Sequence, residues 1–292
     1  MVKDADNRGL SGIQLGARIP RVIHQTFGPG RLPDILLKNV YNIKAINPAW
    51  RHVYYDDNDV EDFINDNYDK TILQYYYRID RLYGAARADL FRYLLLYKVG
   101  GVYLDIKSTT LRPLDEVLHC DDRYVLSHWN NLSGERAGWG IHPELSWLAR
   151  GEFQQWHIIS APGHPFLKAV IEHVLRNIDA YRPWREHLGQ YATVRVTGPM
   201  AYTKAISPIL GLHPHRIVHD ERSLGLEYSV VGGSVHSRLF PSHYVTLEHP
   251  MIASSGSIWL ATQFYRAARA IRNRGRVLVG YVRAHLNARA RA

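Results

Sequence analysis

Residues 83–108 read YGAARADLFRYLLLYKVGGVYLDIKS, and this stretch decides the fold. Apolar side chains recur at helical spacing from Leu82 to Tyr97, which predicts a helix of about five turns with one buried face. Gly100 and Gly101 end this helix, because glycine readily adopts the left-handed conformation that a helix C-terminus needs. The apolar run Val102–Ile106 follows at once and predicts a buried strand of a parallel sheet.

Charged side chains lie at the end of this predicted strand and on the helix before it. In open α/β sheets the ligand binds beyond the carboxyl ends of the strands, so Asp105 is placed where a charged substrate or its cation would lie. Strand alternation predicts Tyr103, Asp105 and Lys107 on one face. Asp89 and Arg92 are three residues apart and therefore share a face of the helix. The pattern predicts a charged site at one edge of a sheet.

The chain before this stretch predicts a strand, a helix and a second strand. A short apolar strand begins at Ile19 and ends in the polar residues His24, Gln25 and Thr26. A helix over 33–46 and a strand over 50–55 follow, and this order is typical of a parallel sheet with right-handed crossovers. Polar groups at a strand end suit a binding site. The alternative is that His24 and Gln25 only satisfy buried backbone groups.

Asp57, Asn58 and Asp59 form a literal Asp-x-Asp and compete with Asp105 as a metal motif. The structural interpretation is favoured here, because Asp56 and the three residues after it stand directly before an apolar-periodic segment, and Asp and Asn in that position are typical of a helix N-cap. Acidic residues in the first turn are also favoured by the helix dipole.

Later segments continue the alternation of strands and helices. Residues 123–127 and 155–161 predict strands, and residues 131–140, rich in Gly, Ser and charge, predict a mobile loop over the site. His164 precedes a predicted helix over 166–181, where a capping role is at least as well supported as a catalytic one.

The composition limits which classes of protein the chain can belong to. The chain has 292 residues, 46% hydrophobic and 22% charged, and can bury a large core. Its single cysteine, Cys120, permits no internal disulfide, and we expect a small buried hydrophobe at that position. The first twelve residues lack the apolar core of a signal peptide, so the prediction is a cytoplasmic protein. A net charge of +9 favours anionic partners such as nucleotide diphosphates, anionic lipid or nucleic acid.

The C-terminal residues 258–292 differ in kind from the rest. Arginines are interleaved with apolar and aromatic side chains, a basic amphipathic pattern that predicts one or two helices. One interpretation is an anchor on an anionic membrane surface, and the other is a helix docked on the catalytic domain with its arginines in solvent. We therefore divide the chain into a catalytic domain, 1–257, and a basic helical segment, 258–292.

The pattern A-x-A-D-L-x-R-Y-x-x-L-Y-x-x-G-G-x-Y-L-D over residues 86–105 resembles the core of the DXD-motif sugar transferases of glycosyltransferase family 32. The resemblance implies an α/β domain of the GT-A kind, a mostly parallel sheet flanked by helices. It also implies a retaining enzyme that moves a hexose from a UDP- or GDP-sugar to a glycan or lipid-linked acceptor. One departure matters, since the family ends this strand with D-x-D and this chain reads Asp105-Ile106-Lys107.

The resemblance also assigns roles to residues of this chain. The residues implied in catalysis are Asp89, Arg92 and Asp105. Those implied in donor binding are the same three with His24, Gln25, Thr26, Tyr103 and Lys107. The acceptor side is assigned to Asn130, Asn131, Thr197 and Gly198. The metal, Mn²⁺ or Mg²⁺, is assigned to Asp105, with Glu248, His249 and Ser257 as further candidate ligands. An ammonium cannot ligate a metal but can neutralise a diphosphate, so one interpretation is that Lys107 reduces the need for the ion. The alternatives are that Lys107 points to solvent as an ordinary turn residue, or that it marks a catalytically inactive protein.

Three functions of different classes remain open from the sequence. The first is a sugar transferase that uses a nucleotide sugar. The second is a nucleotide-sugar-binding homologue that has lost catalysis together with the second acid of the motif. The third, a nucleic-acid-binding protein, is disfavoured because the sequence has no basic helix-turn-helix, zinc finger or aromatic RNA-binding pattern.

Overall fold

A six-stranded sheet organises the part of the chain that the computed structural model describes, which is residues 10–28, 30–232, 247–254, 256–269 and 271. The strands are β1 (Val22–Thr26), β2 (Arg51–Tyr55), β3 (Gly101–Leu104), β4 (Thr109–Thr110), β5 (Tyr124–Ser127), β6 (His157–Ser160), β7 (Arg216–Val218) and β8 (Leu226–Glu227). The helices are α1 (Asp34–Ile46), α2 (Asp57–Asn67), α3 (Lys70–Arg78), α4 (Gly84–Val99), α5 (Leu114–Val117), α6 (Pro165–Ala180), α7 (Pro183–Glu186), α8 (Gln190–Val196), α9 (Pro199–Ile206) and α10 (256–269).

The central sheet has the strand order β2-β1-β3-β6-β5-β7, and β4 pairs with β8 in a separate ribbon. Strand β1 is parallel to β2 and β3, and β5 is parallel to β7, whereas β6 is antiparallel to both of its neighbours. The predicted α/β class with a mostly parallel sheet is confirmed. Because β6 runs in the opposite direction, its first residues lie at the edge where β3 and β5 end.

Helix α4 and strand β3 form the centre of the fold, as the sequence predicts. The prediction of a single buried face on α4 is wrong, however, because every residue over 89–97 is buried. The helix is enclosed by α2, α6 and the sheet. It ends at Gly100, whose φ is 65°, and Gly101 follows with a φ of 110°. Both glycines have the positive φ that side chains rarely adopt.

Strand β3 ends at Leu104, two residues earlier than predicted, and Asp105 begins a turn. The amide of Ser108 donates to the carbonyl of Asp105 at 2.8 Å and closes this turn. Lys107 therefore does not continue the strand face of Tyr103, and the predicted alternation across these three residues is wrong beyond the strand end.

Two predicted caps are confirmed. Asp56 is the N-cap of α2, and its side chain accepts from the amides of Asn58 and Asp59 in a capping box. His164 is the N-cap of α6, and its Nδ1 accepts from the amide of Phe166 at 3.2 Å. The rival Asp-x-Asp is thus part of a helix start.

Side chains of the strands alternate between two apolar layers. Tyr103 and Ile158 face a core shared with α2, α3, α4, α6, α8 and α9. Val102, Leu104 and Ile159 face a second core with α1 and α5. This alternation is what a sheet buried on both faces requires, and it fixes the register of β3 against its neighbours.

Two further predictions concern Cys120 and the C-terminal segment. Cys120 is exposed, so the prediction of a buried hydrophobe is wrong. It lies before β5 and hence at the opposite edge of the sheet from Asp105. The predicted boundary at residue 258 falls inside α10, and the division into two parts stays a prediction. Within the described ranges, no helix is both long and apolar enough to span a bilayer. Residues 272–292 lie outside those ranges.

Candidate functional site

Polar residues from several elements meet at the edge of the sheet where β1, β3 and β5 end and β6 begins. Arg92 of α4 is their centre. Its Nη2 lies 3.0 Å from Oδ1 of Asp105 and 3.5 Å from Oδ1 of Asp89. Its guanidinium also lies 4.5 Å from the ring centroid of Tyr103. The structure therefore brings together four residues that the sequence predicts for one site.

Gln155 joins this group, although the sequence gives it no role. Its side-chain oxygen accepts from Nη1 of Arg92 at 2.9 Å, and its Nε2 donates to Oδ1 of Asp89 at 3.0 Å. The hydroxyl of Thr197 donates to the other oxygen of Asp89 at 2.8 Å. Both oxygens of Asp89 are thus hydrogen-bonded, which fixes the carboxylate against Arg92.

Exposure separates the roles of these residues. The side chains of Asp89 and Arg92 are only 4% and 5% exposed, whereas that of Asp105 is 25% exposed. Asp105 is therefore the member of the group that can meet a ligand directly. Asp89 and Arg92 lie beneath it and set its position.

Burial and charge act together on the titration of this group. Burial raises the pKa of Asp89, while Arg92 and the hydrogen bonds from Gln155 and Thr197 oppose that rise. Burial alone would lower the pKa of Arg92, but Asp105, Tyr103 and Asp89 hold it above its ordinary value. The guanidinium is a permanent positive charge under the Asp105 carboxylate.

The turn that contains Asp105 and Lys107 is held from several sides. Nε2 of Gln25 donates to the carbonyl of Asp105 at 3.2 Å, and Nδ2 of Asn39 donates to the carbonyls of Ile106 and Ser108 at 3.2 and 2.8 Å. The backbone is fixed before any ligand arrives, which is the preorganisation that a catalytic site needs.

Lys107 points toward an aromatic cluster made of Trp129, Trp139, Trp156 and Tyr228. Its Nζ donates to the hydroxyl of Tyr228 at 2.8 Å and lies 4.2 Å from that ring's centroid. Tyr228 in turn packs against Trp129 and Trp156, with ring centroids 5.2 and 5.5 Å away. Among the described residues, no carboxylate lies within ion-pair distance of Lys107.

The contacts of His24 match the structural alternative left open by the sequence. Its ring nitrogens bond the Tyr55 hydroxyl at 3.0 Å and the Gly100 carbonyl at 3.1 Å, and burial lowers its pKa to about 4. Gln25 is also buried and supports the Asp105 backbone. Thr26 is half-buried at the end of β1. Direct contact of His24 or Gln25 with a donor stays a prediction.

The residues predicted for the acceptor side divide into two places. Asn130 is exposed and donates to Asp220 at 3.0 Å. Asn131 is buried and donates to the carbonyls of Trp139 and Arg150, so it holds the loop that follows. Thr197 is buried and its hydroxyl donates to Asp89, and Gly198 is the N-cap of α9.

The three further metal candidates lie apart from Asp105 in the described contacts. Nε2 of His249 is 3.6 Å from Asp80, and its carbonyl accepts from the Tyr83 hydroxyl at 2.7 Å. Glu248 and Ser257 are exposed, and no contact of either with Asp105 is seen among the described residues.

The donor set near Asp105 does not fit a divalent ion held by protein carboxylates. Hard cations need several oxygen ligands, and the turn offers one carboxylate, one oxygen of which faces Arg92, followed by an ammonium at Lys107.

A second acidic cluster lies at the other edge of the sheet. Ligand atoms of His119, Asp121 and Asp122 come within 4.8 Å of one another before β5. Arg216 already pairs with Asp122 there at 2.5 Å. This cluster is too far around the fold to serve Asp105.

The family model described as "Glycosyltransferase sugar-binding region containing DXD motif" matches residues 33–124, which include Asp89, Arg92 and Asp105. Over these residues the chain is similar to glycosyltransferases of the family 32 kind, in agreement with the resemblance seen in the sequence. Members with this motif generally use a divalent metal, and here the second acid of the motif is replaced by Lys107.

Curated relatives from yeasts agree with the family. The chain is 27% identical over 199 residues to an inositol phosphoceramide mannosyltransferase 3 of Schizosaccharomyces pombe, covering 68% of this chain and 48% of that protein. It is 31% identical over 163 residues to an initiation-specific alpha-1,6-mannosyltransferase of Candida albicans, covering 52% and 41%. The chain spans less than half the length of these two relatives.

Among solved structures, the PaToxG glycosyltransferase superposes with a TM-score of 0.48 at 14% identity, over 82% of this chain and 83% of that one.

Proposed function

We propose that the protein is a retaining glycosyltransferase that moves a hexose from a UDP- or GDP-sugar to a glycan or lipid-linked acceptor. The single observation that supports this proposal is the Asp89–Arg92–Asp105 group, held by Gln155 and Thr197 at the ligand edge of the sheet. The names of the relatives favour mannose as the hexose and a lipid or a glycan as the acceptor.

The transfer reaction requires the site to supply positive charge to the leaving nucleoside diphosphate. When the bond to the anomeric carbon breaks, the leaving nucleoside diphosphate gains negative charge, and positive groups aimed at it stabilise the transition state. In enzymes that keep both acids of the D-x-D motif, a divalent ion held by carboxylates usually supplies such a charge. In this chain Lys107 is the positive group that can face the diphosphate, because the buried Arg92 is already paired with Asp89 and Asp105.

The residues of the site have different tasks in this mechanism. Asp105 is the exposed carboxylate that contacts the donor, on its ribose or sugar hydroxyls. Arg92 fixes Asp105 from below at 3.0 Å, and Asp89 fixes Arg92, so both are positioning residues. Lys107 keeps two N–H groups beyond the one that it donates to Tyr228 and can turn them toward the diphosphate.

The acceptor is proposed to bind beside the aromatic cluster. Trp139 is 44% exposed, and it lies next to Tyr228, whose hydroxyl accepts from Lys107. An exposed indole presents an apolar face of the kind that the ring C–H groups of a sugar can cover. Asn130 lies near the start of the same loop and is a further candidate for acceptor hydroxyls.

A second candidate function follows from Lys107 itself. Since the ammonium occupies the place of a metal-binding acid, the chain could bind a nucleotide sugar without transferring it. Donor-dependent thermal stabilisation without hydrolysis or transfer would support this binding-only homologue.

The test is a screen of UDP- and GDP-hexoses with the purified full chain, followed by activity against free Mn²⁺ with a chelator at one end. We expect activity that needs less Mn²⁺ than a D-x-D enzyme. Lys107→Ala should lose activity, and Lys107→Asp should recover it only at higher Mn²⁺. Lys38→Ala, an exposed lysine of α1, is the matched control. Strict metal dependence with no loss in Lys107→Ala would contradict the role of Lys107.

The cellular location of the protein is a separate proposal. A cytoplasmic protein, peripheral on the inner face of the membrane, agrees with the predictions from the sequence. Fractionation of cells that produce the full chain tests it.

A further inference from the structure

Helix α10 has two unlike faces. Thr262 is buried, while Tyr265 and Arg269 are half-buried on the same side. On the other side Leu260 and Phe264 are 54% and 76% exposed, and the helical residue Ile271, just after the bounds given for α10, is 72% exposed. Their spacing of four and seven residues places them in one row, which we call the apolar stripe. Three large apolar side chains in a row in water need a partner.

The buried face fixes α10 to the domain. The guanidinium of Arg269 lies near Tyr83 and partly offsets the rise that burial causes in the pKa of that tyrosine. The segment before the helix is also tied down, because the amide of Asp80 donates to the carbonyl of Met251 and the amide of Ala253 donates to that of Arg78. The stripe therefore has a fixed direction relative to the catalytic domain.

Helix α4 shows where this attachment lies. Its residue Arg92 is level with Asp105, and Gly84 is eight residues earlier, about 12 Å further along the axis. Since α4 runs antiparallel to β3, its first turn projects beyond the edge of the sheet that holds the site. Tyr83 and the adjacent α10 thus lie at the rim on the side of the site.

Charge identifies the partner. Of the 36 lysines and arginines of the chain, eight lie in residues 256–292, whereas all 27 acidic residues come before residue 256. Eight of the nine net positive charges therefore belong to the segment that contains the apolar stripe. Arg266 and Arg269 lie in α10, and the other six arginines are known from the sequence alone. A segment that combines apolar side chains with arginines and lacks acids is complementary to anionic lipid headgroups above acyl chains.

We propose that the apolar stripe of α10 inserts into the surface of an anionic membrane and holds the site edge of the sheet toward the lipid headgroups. A second copy of the chain is a poorer partner, because two arginine-rich segments repel and three side chains bury far less than the roughly 1,200 Å² of a specific interface. The use of this attachment for a lipid-linked acceptor rests on the proposed function, whereas the attachment itself does not.

The experiment is flotation of the full chain with vesicles of phosphatidylcholine alone or with phosphatidylglycerol added. The stripe variant is Leu260→Gln/Phe264→Gln/Ile271→Gln. The matched control is Tyr41→Gln/Tyr191→Gln/Leu212→Gln, in which residues of 61%, 69% and 71% exposure change elsewhere on the surface. Donor hydrolysis in solution is measured for all three proteins.

We expect the wild type to bind only the anionic vesicles, less tightly as salt rises. The stripe variant should lose about tenfold or more in its partition constant, and the control variant should bind like the wild type. Hydrolysis of the donor should be equal in the three proteins. The hydrolysis assay then reports loss of catalysis, and flotation reports loss of membrane attachment.

Three results would overturn the proposal. One is equal vesicle binding by the wild type and the stripe variant, which would mean that the stripe is covered by another part of the chain. Another is absence of binding by the wild type. The third is a dimer in light scattering that the stripe variant converts to a monomer, since the partner would then be a second copy.

Discussion

Helices α4 and α10 are both rich in apolar side chains, but their surroundings differ. Helix α4 is enclosed, with each residue over 89–97 buried, and the two charged residues in that run are paired with each other. Helix α10 is buried on one side only and leaves large apolar side chains in water on the other. An apolar pattern thus shows that a surface needs covering, and only the fold shows whether the protein itself covers it. The difference also predicts where substitutions act.

The largest expected effect is on Asp105, the exposed carboxylate that Arg92 of α4 contacts from below. Asp105→Asn keeps the shape of the side chain but removes the charge, and we expect kcat/KM to fall about 100-fold or more. Steady-state transfer kinetics measure this change.

Asp34→Asn is the matched control, since its carboxylate is 84% exposed on α1. Thermal unfolding of both variants checks that the fold is intact. Near-normal turnover in Asp105→Asn would remove Asp105 from the site.

A smaller effect is expected where α4 meets β3. At Gly101 a Cβ would lie 2.7 Å from the carbonyl oxygen of Val22 and 3.0 Å from Nε2 of His24, and the φ of 110° is itself unfavourable for a side chain. Gly101→Ala should lower the free energy of unfolding by about 2 kcal/mol or more, as measured by urea denaturation.

Gly211 offers the comparison, because a Cβ there meets no atom within 4 Å. Gly211→Ala should stay within about 0.5 kcal/mol of the wild type. Equal stability of the two variants would show that the junction tolerates a side chain.

The most gradual effect is a pH dependence that belongs to the enclosed part of the molecule. Burial lowers the pKa of His24 and His164 to about 4 and that of His157 to about 3. Between pH 6.5 and these values the unfolded chain binds protons that the folded chain excludes. Their contribution to stability is therefore complete above pH 6.5 and falls as the pH is lowered, by up to about 1.4 kcal/mol per unit for each histidine.

Denaturation by urea at a series of pH values measures this slope. His157→Gln should reduce it, because His157 is buried and bonds only the Ser127 hydroxyl through its Nε2 in the described contacts. A slope that is the same in the variant would mean that other groups cause the acid sensitivity. The described residues of α10 contain no histidine and should not contribute.

The sequence predicted what depends on local pattern. Residues within a few positions of one another determine three of the predicted features. These are the helix–glycine–strand unit, the cap at Asp56 and the pairing of Asp89 with Arg92. The direction of β6 is not a local property, since a four-residue strand of HIIS suits either direction. Gln155 was missed for this reason, because only an antiparallel β6 brings its first residues to the site.

Tyr228 was missed for a related reason. It is separated from Lys107 by 121 positions, and no motif near it marks a site. Contacts of this kind depend on the return of the chain to the same edge of the sheet. Exposure is also non-local, as the exposed Cys120 shows.

Cys120 has a practical consequence for studies of orientation. It is the only cysteine of the chain, its thiol is open to reagents, and it lies at the edge of the sheet away from Asp105. A single maleimide fluorophore can therefore be attached to the natural protein without engineering. Energy transfer from that dye to acceptor dyes in a lipid bilayer would measure the distance between Cys120 and the membrane. A long distance would mean that the catalytic edge faces the bilayer.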